Sequence, residues 1–135
     1  MRVTLNRIRR VDTRGIKPGD IKMINSYNFG KMVIDGKKYS SDLIIFQEVV
    51  WDSWWRNKGH ELCIADIKQA VEDFTPSTIV VGTGKFGMMK ILPETEEYLK
   101  SQNINLIVQK SENAALTYNK LFNSEKVLGA FHLTC

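Results

Sequence analysis

Two pairs of residues able to bind metal or move protons stand three positions apart, His60/Cys63 and His132/Cys135. Together they hold the ligand types of a structural zinc site, which takes imidazole nitrogen and thiolate sulfur in a tetrahedron. The second pair lies at the end of a predicted strand, where positions i and i+3 project to opposite faces, and that works against a shared metal. No metal is assigned. Cys135 and His132 also form a thiol–imidazole pair of the kind used in nucleophilic catalysis. No third, orienting group accompanies them, and a buried thiol beside a hydrogen-bonded histidine is the simpler expectation. No catalytic residue is assigned either.

The run Gly82-Thr83-Gly84-Lys85-Phe86-Gly87 matches G-x-G-x-x-G after a strand. In a dinucleotide fold such glycines let pyrophosphate approach a helix N-terminus. Here the next helix is predicted only at Pro93, and the strand after it ends in Gln109-Lys110 rather than in an acid for the ribose. Gly84-Lys85 also lacks the remainder of a P-loop. No cofactor is assigned. The expectation is a glycine turn at the carboxyl end of a central strand, the place where open α/β sheets bind ligands. A small anion touching the backbone N–H groups of Thr83 to Phe86 fits such a turn.

Trp51, Trp54 and Trp55 crowd five positions, with Arg56 directly after them. Indoles so placed read as core or interface anchors. Arg56 can stack on an aromatic face or hold a carboxylate. Asp42 precedes a hydrophobic run and reads most simply as a turn or edge residue.

The elements that must position these side chains follow from periodicity. Lys31–Ile34 and Lys37–Tyr39 flank Asp35-Gly36, the signature of a type I′ hairpin. Leu43–Phe46 is branched and aromatic, suited to a buried strand. Residues 49–60 read either as strand or as irregular structure. Ile64, Ile67, Val71 and Phe74 recur at helical spacing before Pro76. Residues 79–81 make a short central strand. A helix opens at Pro93, with Glu94, Glu96 and Glu97 complementing its positive end, and runs to about Gln102. Residues 104–109 read as another buried strand. Ser111 is the expected N-cap of a helix through about Asn123, and residues 127–133 form the last strand. Alternating units of this kind build a partly parallel sheet covered by helices.

The chain has 135 residues, ample for one domain with a core of its own. Its charge is lopsided. Residues 1–22 carry seven basic and two acidic side chains, the rest twelve basic and thirteen acidic, so the formal net charge of +4 arises in the leader. A nucleic-acid binder would carry that charge on its folded surface. Nucleic acid is therefore expected only through the leader, if at all. The leader itself reads as a solvated arm, an added edge strand, an organelle transit peptide, an RNA- or membrane-binding arm, or sequence upstream of a native start at Met23. Two cysteines and no secretory segment favour reduced thiols and a cytoplasmic location, or a mitochondrial one if residues 1–22 are a transit peptide. The apolar runs are far too short to span a bilayer.

Read in order, several features resemble one family: Tyr27-Asn28-Phe29-Gly30, Ile34-Asp35-Gly36-Lys37-Lys38-Tyr39, Ser41-Asp42-Leu43, Trp55-Arg56, Gly59-His60, the strand and glycine turn around Ile79 to Gly84, and the terminal His132-Leu133-Thr134-Cys135. This ordered set resembles the adipogenesis-associated Mth-domain family, which includes a mitochondrial assembly factor of respiratory complex I. It covers residues 23–135. The resemblance implies a three-layer α/β sandwich with a central mixed sheet, here with an N-terminal antiparallel hairpin. It implies a non-catalytic binding or assembly role with a protein partner. A small enzyme or ligand-binding protein, taking a small anionic ligand at residues 82–87 beside a histidine, is the alternative. The shared surface it suggests holds Asp42, Arg56, His60, Gly82, Thr83, Gly84 and His132, to which the reading of the indoles as interface anchors adds Trp54 and Trp55.

Overall fold

A computed structural model describes residues 23–135. The readings made of residues 1–22 lie outside the described residues. The chain begins with β1 (Ile24–Asn28), β2 (Lys31–Ile34) and β3 (Lys37–Tyr39), which pair antiparallel in that order. Asp35 and Gly36 take φ of +49° and +79°, as the tight turn between β2 and β3 requires. β1 was not foreseen, since only one of its five residues is buried and its pattern does not alternate cleanly.

The main sheet has five strands: β4 (Leu43–Phe46), β5 (Val49–Trp51), β7 (Thr78–Thr83), β9 (Asn105–Gln109) and β10 (Val127–His132), in the order β5-β4-β10-β7-β9. β10 runs parallel to β7, and β7 to β9, while β4 is antiparallel to β10. A small parallel pair, β6 (Glu61–Leu62) with β8 (Lys90–Ile91), lies outside it.

The two-residue period of a strand splits the core into two. Ile44, Phe46, Ile79, Val81, Leu128 and Ala130 face α1 (Ile64–Phe74) and α2 (Pro93–Ser101). Leu43, Ile45, Val80, Val127 and Phe131 face α3 (Ser111–Leu121) and the β1–β3 sheet. The result is the three-layer sandwich with a central mixed sheet. Gly129 lets α3 approach closely: a Cβ there would lie 2.5 Å from Phe131, 2.9 Å from Ile45 and 3.1 Å from the Tyr118 ring. Tyr118 is fully buried in the space so left. Burying a side chain of this size stabilises by about 2–3 kcal/mol, so any residue but glycine at 129 disturbs a large local contribution.

Three local expectations change. Ser111 is the first residue of α3 and Lys110 its cap, because the Ser111 hydroxyl is engaged elsewhere. α3 ends at Leu121, two residues early. The strand expected to be buried at residues 104–109 is an edge strand, with Val108 44 % exposed. Its apolar run fits an edge because α2 and α3 still cover part of it. No helix among the described residues is long and apolar enough to cross a membrane.

Candidate functional site

Sheet register brings Asp42 and His132 together. Leu43 of β4 pairs with Phe131 of β10, so the residues one step outward meet on the opposite face of the pleat. Asp42 Oδ2 lies 2.8 Å from His132 Nδ1, and Asp42 Oδ1 accepts the Leu133 N–H at 2.7 Å. Arg56 completes the cluster. Its Nη2 donates to Asp42 Oδ2 and to the Gly59 carbonyl, both at 2.8 Å. Those two bonds use both hydrogens of Nη2, so its 3.1 Å approach to His132 Nδ1 is a contact between two groups bound to one oxygen. Nδ1 must then carry the hydrogen that reaches Asp42, and in the neutral ring Nε2 holds the free lone pair.

The cluster is sequestered. The Arg56, His132 and Asp42 side chains are 3 %, 7 % and 17 % exposed. Burial pushes the Asp42 carboxyl up, but hydrogen bonds from His132 and the Leu133 N–H, the His132 charge and the Arg56 hydrogen bond outweigh it and hold the group below its ordinary value. Arg56 Nε and Nη1 and His132 Nε2 have no hydrogen-bond partner among the described residues. Tyr27 closes the neighbouring side, its hydroxyl donating to the Leu133 carbonyl at 2.8 Å.

Arg56 arrives on an irregular segment that the sequence left undecided. After β5 the chain turns at Ser53, whose φ is +56°. The Trp54 N–H donates to the Asp42 carbonyl at 2.8 Å, and the Trp54 indole N–H to the Asp66 carbonyl at 2.9 Å. Asp66, in the first turn of α1, accepts the Asn57 and Cys63 N–H groups at 3.0 Å each. The three indoles part company here. Trp51 leans on Phe74, Trp54 is buried beneath the Arg56 guanidinium at 4.9 Å, and only Trp55 faces solvent, 80 % exposed. His60 is exposed and sets its ring edge-on to His132, with centroids 5.8 Å apart.

Gly82, Thr83 and Gly84 lie at the same end of the sheet but inside the chain's own packing. All three are buried, and β7 extends through the first two. A Cβ on Gly82 would fall 2.7 Å from Ser111 Oγ, and one on Gly84, at φ +101°, would strike the backbone of Cys135 and Thr134. The Gly84 N–H donates to Ser111 Oγ at 2.9 Å, and that hydroxyl donates to the His132 carbonyl at 2.5 Å. The Lys85 and Met88 N–H groups donate to the Thr134 and Cys135 carbonyls at 2.7 and 3.0 Å. The amides expected to meet a small anion at Thr83 to Phe86 are thus partly occupied. Thr83 belongs to the β7 ladder, and Gly84 and Lys85 bond to α3 and the C-terminal tail. Beside Lys85, which pairs with Glu112 at 3.5 Å, the bend offers apolar surface: Phe86 is 63 % and Met88 48 % exposed, and Phe29, 53 % exposed, sits 6.3 Å from the Phe86 ring.

The cysteines do not join the histidines. Cys63 and Cys135 are both free, and among the described residues no three His, Cys, Asp or Glu side chains could share a metal. Cys63 Sγ instead meets Asn57 Nδ2 at 3.5 Å, on the wall of a 220 Å³ cleft with Lys58, Glu61, Asp66 and Leu92. Two participants escaped the sequence reading, Asp66 and Ser111. The Cys63-x-x-Asp66 spacing, an acid three residues past a helix cap, carried a signal for the first. Nothing local marks Ser111 as a link between Gly84 and β10.

The family model described as a protein of unknown function (DUF498/DUF598) matches residues 24–132. Solved structures share the fold. A conserved hypothetical protein of Pyrococcus horikoshii is 26 % identical, with a TM-score of 0.69 over 83 % of this chain and 98 % of its own. A Bordetella parapertussis protein is 21 % identical, with a TM-score of 0.74 over 85 % and 98 %. A Bordetella pertussis protein described as an Mth938-like domain is 17 % identical, with a TM-score of 0.70 over 92 % of both. The resemblance to Mth-domain proteins therefore holds at the level of family and fold.

Proposed function

The chain belongs to the DUF498/DUF598 family, and from that premise we propose that it is a non-catalytic binding module that docks a protein partner at the carboxyl end of β7 and β10. One observation carries this: an indole 80 % exposed, Trp55, stands between a buried indole and an arginine whose side chain is only 3 % exposed. The Arg56 guanidinium beside it is turned inward, onto Asp42 and the Gly59 carbonyl, so the segment is stiff while its apolar anchor is free. A rigid aromatic anchor loses little conformational entropy on binding, which is what an interface hot spot needs. Phe29, Phe86 and Met88 add exposed apolar area at the same end of the sheet.

A comparison of baits tests this. The full chain should capture a protein that Trp55→Ala and Phe86→Ala lose, while Leu116→Ala, altering an exposed residue of α3, retains it. Equal capture by all four proteins sinks the proposal.

A second reading has its own observation. His132 is oriented through Nδ1 by a carboxylate, the arrangement that readies Nε2 for acid–base work on a small ligand. Melting the full chain against a library of small carboxylates and phosphates tests it. A ligand whose stabilisation vanishes in His132→Gln supports this reading, and an unchanged melting temperature throughout removes it.

A further inference from the structure

Five strands in the central sheet leave two edges, and they differ. β5 is three residues long, and Trp51 at its end leans on Phe74. Short edge strands resist pairing with other chains. β9 is five residues long, Asn105-Leu106-Ile107-Val108-Gln109, and among the described residues no strand pairs with its outer side. It has none of the usual guards: no proline, no charge within it, and a continuous register with β7.

The direction of its backbone groups can be deduced. The Asn105 N–H donates to the Ser77 carbonyl at 3.0 Å, and the Gln109 carbonyl accepts from Thr83 Oγ1 at 3.1 Å, both toward β7. Successive residues of a strand alternate, so the N–H and C=O of Leu106 and Val108 point away from the sheet. Four groups, two donors and two acceptors, line this edge symmetrically about Ile107.

We propose that β9 pairs antiparallel with β9 of a second copy of this chain, in the register centred on Ile107, joining two five-stranded sheets into one. That register sets Leu106 opposite Val108 of the second copy and Val108 opposite its Leu106. Each pair exchanges two hydrogen bonds, and all four outward groups of each chain find partners. Side chains match as well. Val108, 44 % exposed in the single chain, packs beside a leucine on one face, and Ile107 meets its own copy on the other. Asn105 stands opposite Gln109, amide against amide. The nearest charges along the strand, the two Lys110 side chains, fall at opposite ends, roughly 20 Å apart, so they do not oppose the pairing. A strand lacking this palindromic order of apolar and amide residues would offer a second copy no such match. The proposal goes beyond the partner surface at Trp55 and does not depend on it.

Sedimentation of the full chain from about 1 µM to about 1 mM should show a monomer passing to a dimer, with the weak affinity of a small interface. Val108→Pro removes an outward N–H that the fold itself does not use, and should leave a folded monomer by circular dichroism. In a Cys63→Ser, Cys135→Ser chain, Ile107→Cys should form a disulfide dimer under mild oxidation. Opposed residues at a non-hydrogen-bonded site lie about 4.5 Å apart between Cα atoms, within disulfide reach. Asn105→Cys, which faces residue 109 rather than itself, should not. Three results overturn the proposal: a monomer at every concentration, a dimer undiminished by Val108→Pro, or cross-linking at 105 as rapid as at 107. Trp55→Ala should dimerise like the natural chain, which separates this test from that of the partner surface.

Discussion

Residues 53–60 and residues 84–89 leave the same end of the central sheet, and opposite forces hold them. The first segment is tied down largely by charged groups: the Arg56 guanidinium bonds to Asp42 and to the Gly59 carbonyl, and the Asp66 carboxylate accepts the Asn57 N–H. The second is tied down by backbone: Ser111, Thr134 and Cys135 take its N–H groups, and Gly84 is pressed against the C-terminal tail. Both end with aromatic side chains in solvent. The contrast teaches that an exposed anchor needs a rigid base but that the chemistry of the base is free to vary. Glycine and charge, which in sequence suggested ligand chemistry at both places, serve here to hold exposed rings still.

The comparison breaks most readily at Asp42. Asp42→Ala leaves the Arg56 guanidinium buried without its carboxylate, and should lower stability by about 3 kcal/mol in urea denaturation. A loss below about 1 kcal/mol would mean that charge does not hold the segment. On the other side, Gly84→Ala forces a Cβ into a backbone at φ +101° and should cost about 2 kcal/mol by the same measurement, with the C-terminal tail displaced. Trp55→Ala should divide stability from recognition. Its melting temperature should stay near that of the natural chain, while affinity for a captured partner falls about 30-fold, the effect of a 2 kcal/mol anchor.

Acid sharpens the contrast further. The Asp42 carboxyl is held below its unfolded value, so its stabilisation is complete above that value, about pH 4, and is lost as pH falls through the folded value. The stability gap between the natural chain and Asp42→Asn should therefore narrow as pH falls below about 4. The strain at Gly84 involves only backbone atoms, so the loss caused by Gly84→Ala should hardly vary with pH. The smallest effect is expected from removing Thr134 and Cys135, which frees the Lys85 and Met88 N–H groups at about 0.5 kcal/mol for each lost bond. Amide exchange at those two residues should speed up, and protection at Arg56 should not change.

Much of the fold was legible because its signals are local. The Asp35-Gly36 turn, the 3.6-residue spacing of α1 and the proline opening of α2 each depend on a few neighbouring residues. Where the expectation failed, a distant partner decided. Ser111 looks like a helix cap until Gly84 and the His132 carbonyl claim its hydroxyl. The branched run of β9 looks buried until the strand order leaves it at an edge. The site was half legible: Asp42, Arg56, His60 and His132 do converge, whereas the glycines beside them are enclosed and Trp54 is core.

By itself the sequence determined the kinds of element, their order, and the residues able to carry charge or present an aromatic face. It could do so because helical and strand periods, turn residues and side-chain chemistry belong to short stretches of chain. Only the tertiary structure decided that Asp42 and His132, 90 residues apart, share one carboxylate oxygen with Arg56, and that of three neighbouring indoles Trp55 alone turns outward. Those outcomes depend on which strands lie side by side and in what register, and register is set by the packing of both sheet faces at once.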